Sequence, residues 1–255
     1  MATGEKDAAT FNGKLRRHPA EAGFPLGTAI LLGIGTAGVV VAGRKPKPSK
    51  RQLLTGAVAT SAGVAATFVL LDALLTHRRV TRLDRHLHNY FRQHRTKREE
   101  RFVDATTVTG NGWFIAPLAV LTASALVADD ESRLAMTVLW SVAGAGIWSE
   151  AIKRVVRRER PPEGREESRD FSFPSGHTLF AGSLYGLLAY IVSTRKSLGT
   201  WRFPAAVALA LIAPWTAFSR MYLGRHWPSD TAASAALATA WNATLITFLR
   251  SGNPQ

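Results

Sequence analysis

Residues 219–230 read SRMYLGRHWPSD and connect two apolar runs, Phe203–Ser219 and Thr231–Leu249. Each run approaches the roughly 20 apolar residues that a helix needs to cross a bilayer. Charged side chains are unfavourable inside a bilayer, so the charges of this connecting stretch are expected at a membrane edge. The stretch therefore predicts two membrane helices with a polar site between them.

Two residues of this stretch, His226 and Asp230, are four positions apart. Pro228 suits the first turn of a new helix, so the imidazole and the carboxylate are expected within hydrogen-bonding reach. An aspartate that accepts the proton of one imidazole nitrogen fixes the tautomer and leaves the other nitrogen free to attack an electrophile. Arg220 adds a permanent cation nearby.

A second stretch, residues 153–161, reads KRVVRRERP. Lys153 and Arg160 are seven residues apart, which places them two turns apart on one face of a helix before Pro161 ends it. The pattern predicts two cations at the end of a membrane helix.

A third stretch, residues 174–177, reads PSGH and opens the next apolar run. It brings a hydroxyl, a glycine that permits close backbone approach and a histidine to a helix N-terminus. Free N–H groups and the helix dipole favour an anion there. Three cations, a helix start and two histidines together suit a phosphoryl group.

Written as K-x6-RP, PSGH and SR-x5-H-x3-D, the three stretches resemble the signature of the type 2 phosphatidic-acid phosphatase family. That family shares its site with the vanadium haloperoxidases. All eleven specified positions are filled, in order. The motifs cover residues 153–230, and the pattern of apolar runs extends the resemblance from about residue 52 to the C-terminus.

The resemblance implies a role for each motif residue. His226 would attack phosphorus to form a phosphohistidine, Asp230 would orient it, and His177 would protonate the leaving oxygen. A second group of residues would bind the phosphate, namely Lys153, Arg160, Ser175, Gly176 and Arg220. The resemblance implies neither a metal nor another cofactor.

Apolar runs recur along the whole chain and are separated by short charged segments. They lie at Phe24–Gly43, Gln52–Leu75, Trp113–Ala128, Leu134–Ile152, Thr178–Thr194, Phe203–Ser219 and Thr231–Leu249. Seven runs in series, with charge confined between them, favour a multi-pass membrane protein. We therefore predict an all-α transmembrane bundle of six core spans with an additional N-terminal span.

The chain is predicted to have three parts. Residues 1–23 form a polar tail that lacks the apolar core of a signal peptide, so the first apolar run is expected to remain as an anchor. The segment 24–51 adds this span and a basic loop, and 52–255 is the membrane phosphatase domain that the resemblance implies. Asp72, near the end of the second run, is interpreted as structural because it lies close to the interface.

The segment His77–Arg101 is basic, with apolar residues at helical spacing. These residues are Val80, Leu83, Leu87, Tyr90 and Phe91. The pattern predicts an amphipathic helix lying in the headgroup plane. A metal site and a nucleic-acid patch are weaker alternatives, because the histidines at 77, 86, 88 and 94 have no acidic or cysteine partners at ligand spacing.

The net charge of +14 indicates an anionic partner. Membrane headgroups suit this charge better than nucleic acid, because the basic residues alternate with apolar runs instead of forming one soluble face. The chain contains no cysteine, which excludes disulfides and thiolate metal sites.

Short connections between the runs determine which segments share a membrane face. Two runs joined by residues 195–202 separate the PSGH motif from His226, so the chain returns to the face that it left. All three motifs are therefore predicted on one face, where Pro161–Phe173 forms a loop and a candidate lid.

Two opposed arguments bear on which side of the membrane this face lies. On the motif side lie 22 of the 32 Lys and Arg residues, which by the positive-inside rule places the site in the cytoplasm. The resemblance implies a site facing the periplasm, exterior or lumen. Without three phosphate-binding cations and nine in residues 76–112, the two sides are equal at 10. We predict a multi-pass protein of the inner or plasma membrane with its site facing the periplasm or exterior.

The leading hypothesis is a metal-independent lipid phosphatase acting on phosphatidic acid, phosphatidylglycerol phosphate or undecaprenyl diphosphate. A vanadate-dependent haloperoxidase and a lipid-phosphate binding or transport protein are the alternatives. Hydrolysis is favoured over pure binding, since binding needs the cations but neither a nucleophile nor an acid.

Overall fold

The computed structural model describes residues 78–168 and 170–250, whose regular secondary structure is entirely helical, with no strand. Within these residues the helices are α1 Arg78–His94, α2 Lys97–Thr106, α3 Gly112–Ala128, α4 Ser132–Val156, α5 Pro162–Glu167, α6 Gly176–Thr194, α7 Arg202–Tyr222 and α8 Pro228–Arg250. Two short 3₁₀ helices, Thr107–Gly110 and Lys196–Trp201, lie between them. The all-α prediction is confirmed for this part of the chain.

The central helix of the bundle is α6, which packs against α4, α7 and α8. Small residues permit these close approaches, as is usual between membrane helices. A methyl group added at Gly182 of α6 would lie 2.6 Å from Cβ of Ala238 on α8. One added at Gly144 of α4 would lie 2.4 Å from the Trp241 ring. The separations of these helices are therefore set by residues that carry almost no side chain.

Three helices of the described part are long and apolar enough to cross a membrane. They are Ser132–Val156, Lys196–Tyr222 and Pro228–Arg250. A fourth candidate consists of Lys97–Gly110 and Gly112–Ala128, which are bent by 43° at their junction. The predicted number of six core spans is not confirmed, and the predicted runs Phe24–Gly43 and Gln52–Leu75, with Asp72, lie outside the described residues.

The basic segment predicted as one amphipathic helix is two helices, α1 and α2. The break occurs at Thr96, whose hydroxyl accepts a hydrogen bond from the Glu99 backbone N–H while the Glu99 carboxylate accepts one from the Thr96 N–H. This reciprocal capping starts a new helix.

The placement of this segment in the headgroup plane stays a prediction. Leu83 and Tyr90 of the apolar stripe are 56% and 51% exposed, whereas Asp84 and His88 are buried. The face of α1 that packs on α7 and α8 therefore carries polar residues.

The helix ends place the three motifs at one end of the bundle. Helix α4 ends at Arg157, which adopts a left-handed conformation with φ of 50°. The chain continues through the 157–175 segment to the start of α6, and α7 is connected to α8 through Gly224, with φ of 68°. The segment predicted as a loop at Pro161–Phe173 contains the short helix α5. The side of the membrane that this end faces stays a prediction.

The contact between Gly182 and Ala238 provides a test of the packing. We expect Gly182→Ala to lower the stability of the detergent-solubilised protein by about 1–3 kcal/mol, since an overpacked contact forces the two helices apart. The swap Gly182→Ala/Ala238→Gly moves the methyl group from α8 to α6 and keeps the total volume, so most of the stability should return. Thermal unfolding of both variants measures this, and a swap no more stable than the single variant contradicts the packing.

Candidate active site

His226 is buried between the loop after α4 and the start of α8, with 2% of its surface exposed. Its Nδ1 lies 2.7 Å from the carbonyl oxygen of Ser172, and its Nε2 lies 3.0 Å from Nη1 of Arg160. A carbonyl can only accept and a guanidinium can only donate, so the proton is assigned to Nδ1 and the lone pair to Nε2. The imidazole is therefore arranged as a nucleophile whose reactive nitrogen faces a cation.

Asp230 is fully buried beside this histidine, but the expected hydrogen bond between them is replaced by a longer contact. The carboxylate Oδ2 lies 3.7 Å from Nδ1 of His226, and it accepts a hydrogen bond of 2.9 Å from the Trp227 backbone N–H. The bond that fixes the imidazole goes to the Ser172 carbonyl. Asp230 thus acts on the ring through its charge more than through a shared proton.

Three buried cations surround the nucleophile, as the motifs predict. Lys153 is 8% exposed, Arg160 7% and Arg220 3%. Burial lowers the pKa of His226 well below its ordinary value, and the positive charges of Arg160, Arg220 and Lys153 lower it further. The pKa falls because an imidazolium among cations is unfavourable. His226 is therefore neutral near pH 7, the state that a nucleophile requires.

Arg160 is positioned by the backbone of the loops around it. Its Nε donates to the Asp170 carbonyl at 2.8 Å, and its Nη1 donates to the Arg225 carbonyl at 3.0 Å. These bonds orient the guanidinium towards His226. A lysine at this position would keep the charge and lose the planar fork that makes several bonds at once.

The PSGH motif begins α6 on the same side of the site. Ser175 is completely buried and its hydroxyl makes no capping bond to the first turn, accepting instead from the Thr178 hydroxyl at 3.1 Å. A methyl group built on Gly176 would make an ordinary contact of 3.6 Å with Ser149 Oγ. Among the described residues, no atom therefore excludes a larger side chain at this position.

His177, the predicted acid, follows directly on α6. It lies within electrostatic reach of Arg220 and His226. A Cβ at Gly110 would lie 3.0 Å from the His177 carbonyl oxygen, so the 3₁₀ turn packs closely behind the histidine backbone. The structure thus brings all eight predicted site residues to one end of the bundle, while their roles stay predictions.

The sequence reasoning missed three residues that contact this site. Asp170 pairs with Lys153, the Ser172 carbonyl accepts from His226, and Arg158 Nη1 donates to Asp230 at 2.6 Å. Arg158 stands two residues before Arg160 in a run of arginines, so its sequence did not distinguish it from solvated neighbours. A backbone carbonyl such as that of Ser172 leaves no signal in a sequence.

The histidine cluster weighed as a metal site has other partners. His88 Nε2 lies 3.3 Å from Glu163 Oε2, and His94 Nδ1 lies 2.8 Å from the Tyr90 carbonyl. In the described ranges, no three His, Asp or Glu side chains converge as metal ligands.

Comparison with known proteins shows what this site is similar to. The model of the PAP2 superfamily matches residues 134–252, which include all three motifs. The matched stretch begins near the start of α4 and ends just beyond the described part of α8.

Curated relatives that the chain matches are named as phosphatases. The chain is 35% identical over 88 residues to phosphatidylglycerophosphatase B of Haemophilus influenzae, a match that covers 33% of this chain and 35% of the relative. It is 29% identical over 128 residues to lipid A 1-phosphatase of Rhizobium johnstonii, covering 45% and 48%. The matches therefore span from about a third to about a half of these relatives.

A solved structure shares the fold. It is a transmembrane PAP2 type phosphatidylglycerolphosphate phosphatase from Bacillus subtilis, with a TM-score of 0.68 and 20% sequence identity. The match covers 75% of this chain and 96% of that chain. At this identity the likeness shows the arrangement of helices alone.

The ion pair between Asp170 and Lys153 predicts competition with anions. The Asp170 side chain is about half exposed, and its carboxylate pairs with Lys153. Lys153 is one of the three cations predicted to bind the phosphate, which together form the phosphate cradle. We expect Asp170→Asn to bind inorganic phosphate about 2- to 5-fold more tightly, the range of a partly exposed ion pair. The asparagine keeps the carbonyl that holds Arg160 and can still accept from the Phe171 N–H.

Glu131→Gln is the matched control, because it removes a carboxylate paired with Arg195 in the turn before α4, at the other end of the bundle. Calorimetric titration with phosphate compares the three proteins. Equal affinities in wild type and Asp170→Asn would show that this carboxylate does not compete.

Proposed function

We propose that this chain is a membrane lipid phosphatase that releases a terminal phosphate from a phosphomonoester or diphosphate lipid through a phosphohistidine. The observation that carries the proposal is the neutral, buried imidazole of His226, whose Nε2 faces Arg160 among three buried cations. Cations alone would be enough to bind a phosphate group, but an oriented nucleophile beside them favours hydrolysis.

In the first step, the substrate phosphate lies against Lys153, Arg160 and Arg220. Nε2 of His226 attacks phosphorus, and the bond from phosphorus to the lipid oxygen breaks. His177, which the bound phosphate anion keeps protonated, gives its proton to that oxygen. The Nδ1 proton remains on the ring, where the Ser172 carbonyl and the Asp230 charge stabilise the positive charge that develops. Fixed cations stabilise the charge on the phosphoryl oxygens.

In the second step, water attacks the phosphohistidine in line with the P–N bond. His177, now neutral, takes a proton from that water, and Nε2 leaves with its electron pair. Inorganic phosphate is released and both histidines return to their starting states. The cycle needs no metal ion and no redox partner.

A lipid substrate is supported by the position of the site. It lies at one end of helices that are long and apolar enough to cross a membrane. Large apolar side chains of α7, including Val207 and Leu211, are more than half exposed and suit contact with acyl chains. The relatives named above act on phosphatidylglycerol phosphate and lipid A, which share a phosphate on a membrane lipid. We propose phosphatidic acid, phosphatidylglycerol phosphate and undecaprenyl diphosphate as the substrates to test.

The direct test is phosphate release by detergent-purified protein with EDTA present, using these three lipids. We expect release from at least one lipid and none above background with His226→Ala. The control Glu131→Gln should match wild type. Activity that needs an added divalent metal, or that survives in His226→Ala, contradicts the mechanism. Binding of the lipid without release would support a headgroup-binding protein, and bromide peroxidation with bound vanadate would support the haloperoxidase.

A second test concerns His177. If it protonates the leaving oxygen, His177→Ala should slow release from a lipid, whose alkoxide is a poor leaving group, by about 10²–10⁴-fold. Release from p-nitrophenyl phosphate should be much less affected, because nitrophenolate leaves without a proton. The ratio of the two rates in wild type and variant is the measurement. Equal losses on both substrates would indicate that His177 serves phosphate binding instead.

A further inference from the structure

The buried polar face of α1 reaches the active site through Asp84. This residue is 2% exposed and lies far from all three motifs in sequence. Its Oδ1 accepts a hydrogen bond of 2.9 Å from the Ser229 backbone N–H, and its Oδ2 accepts one of 2.6 Å from the Ser229 hydroxyl. Asp84 therefore holds the first turn of α8, the helix that carries Asp230.

Arg158 connects this carboxylate to Asp230. Its Nη2 donates to Asp84 Oδ2 at 2.6 Å, and its Nη1 donates to Asp230 Oδ1 at 2.6 Å. The guanidinium also lies over the Trp227 ring, 5.6 Å from its centroid. One cation is thus shared between two carboxylates that have almost no access to water.

We propose that Asp84 is a positioning residue for the phosphatase reaction, because by sharing Arg158 with Asp230 it keeps negative charge directed at His226. This inference rests on the proposed function. Asp84 touches neither substrate nor nucleophile, and it acts through Arg158 and Asp230.

The charges of the three residues explain why a second carboxylate is needed. Arg158 and Asp230 alone would be neutral together, and little negative charge would act on the imidazole. With Asp84 the trio carries a net charge of about −1, which by Coulomb's law attracts a positive ring. This charge stabilises the imidazolium character that His226 acquires as Nε2 bonds to phosphorus.

The other charged or titratable groups around His226 do not supply this attraction. Most are cations or a histidine from α4, the loops, α6 and α7, namely Lys153, Arg160, Arg225, His177 and Arg220. The Asp170 carboxylate of the loop after α4 is paired with Lys153. On α1, His88 packs against the neighbouring Trp227 ring at 5.4 Å and pairs with Glu163. Asp230 with its partner Asp84 is therefore the source of negative charge behind the nucleophile.

A purely structural role for Asp84 makes a different prediction. As a residue that binds the first turn of α8, it would affect stability, and its loss would leave the pH dependence of the remaining activity unchanged. An electrostatic role changes the pKa of the nucleophile. The pH profile of kcat/KM therefore separates the two roles.

The test is Asp84→Asn in the full chain, assayed on the lipid that wild type hydrolyses. We expect kcat to fall by about 10- to 100-fold, the loss typical of a residue that orients a reactive group, with KM near the wild-type value because the phosphate cradle is intact. Removing a negative charge makes the imidazolium less stable, so the acid limb of kcat/KM should move to lower pH. Glu131→Gln should change neither kcat nor the acid limb.

A charge-restoring variant sharpens the test. Asp84→Asn/Arg158→Met removes an anion and a cation together, which returns the trio to its wild-type net charge, while Asp230 keeps its hydrogen bond from the Trp227 backbone N–H. Its acid limb should return towards the wild-type position. If Asp84→Asn does not fold, Arg158→Met alone decides, since loss of the cation should move the acid limb to higher pH.

Two failures are distinguishable. Absence of phosphate release by wild type contradicts the proposed function itself. Release by wild type, with an acid limb in Asp84→Asn or Arg158→Met that matches wild type, overturns the role of Asp84 and leaves the phosphatase proposal intact.

Discussion

Buried positive charge at one end of the bundle is the constraint on which the site depends. Lys153, Arg160 and Arg220 are each less than a tenth exposed, and cations in such surroundings are unfavourable unless they are hydrogen-bonded or paired. The loop after α4 contributes the Asp170 carboxylate, which pairs with Lys153, and the Asp170 carbonyl, which accepts from Arg160. The Arg225 carbonyl, between α7 and α8, accepts a second bond from Arg160. The loop after α4 also presents the Ser172 carbonyl to His226, so the charge-balancing segment also orients the nucleophile.

The arrangement of helices allows that loop to be held accurately. Helix α6 is packed on three sides, and contacts such as Gly182 with Ala238 leave little freedom for sliding. The motifs lie at the ends of α4, α6 and α7 and at the start of α8. Groups at the ends of closely packed helices keep their relative positions, which is what a site based on fixed charges needs.

The meeting of the motifs could be predicted from sequence, because the count of spans between PSGH and His226 places both on one face. The face of α1 that packs on the bundle could not be predicted from sequence. Periodicity identified Leu83 and Tyr90 as part of an apolar stripe, but the same pattern does not predict that the opposite, polar face packs on the bundle. Asp84 is buried because of Arg158 and Ser229, contacts more than 70 residues distant in the chain. The hydrogen bond to the Ser172 carbonyl involves backbone, which every residue type supplies equally.

The pairing of Asp170 with Lys153 has a kinetic consequence. A carboxylate attached to the same chain behaves as a ligand present at an effective concentration on the order of millimolar. Dissolved anions well below that concentration compete poorly with the carboxylate for Lys153. A lipid phosphate delivered along the membrane is instead already anchored beside the site. After each turnover the attached carboxylate can reoccupy the lysine, and this favours departure of the product over its rebinding.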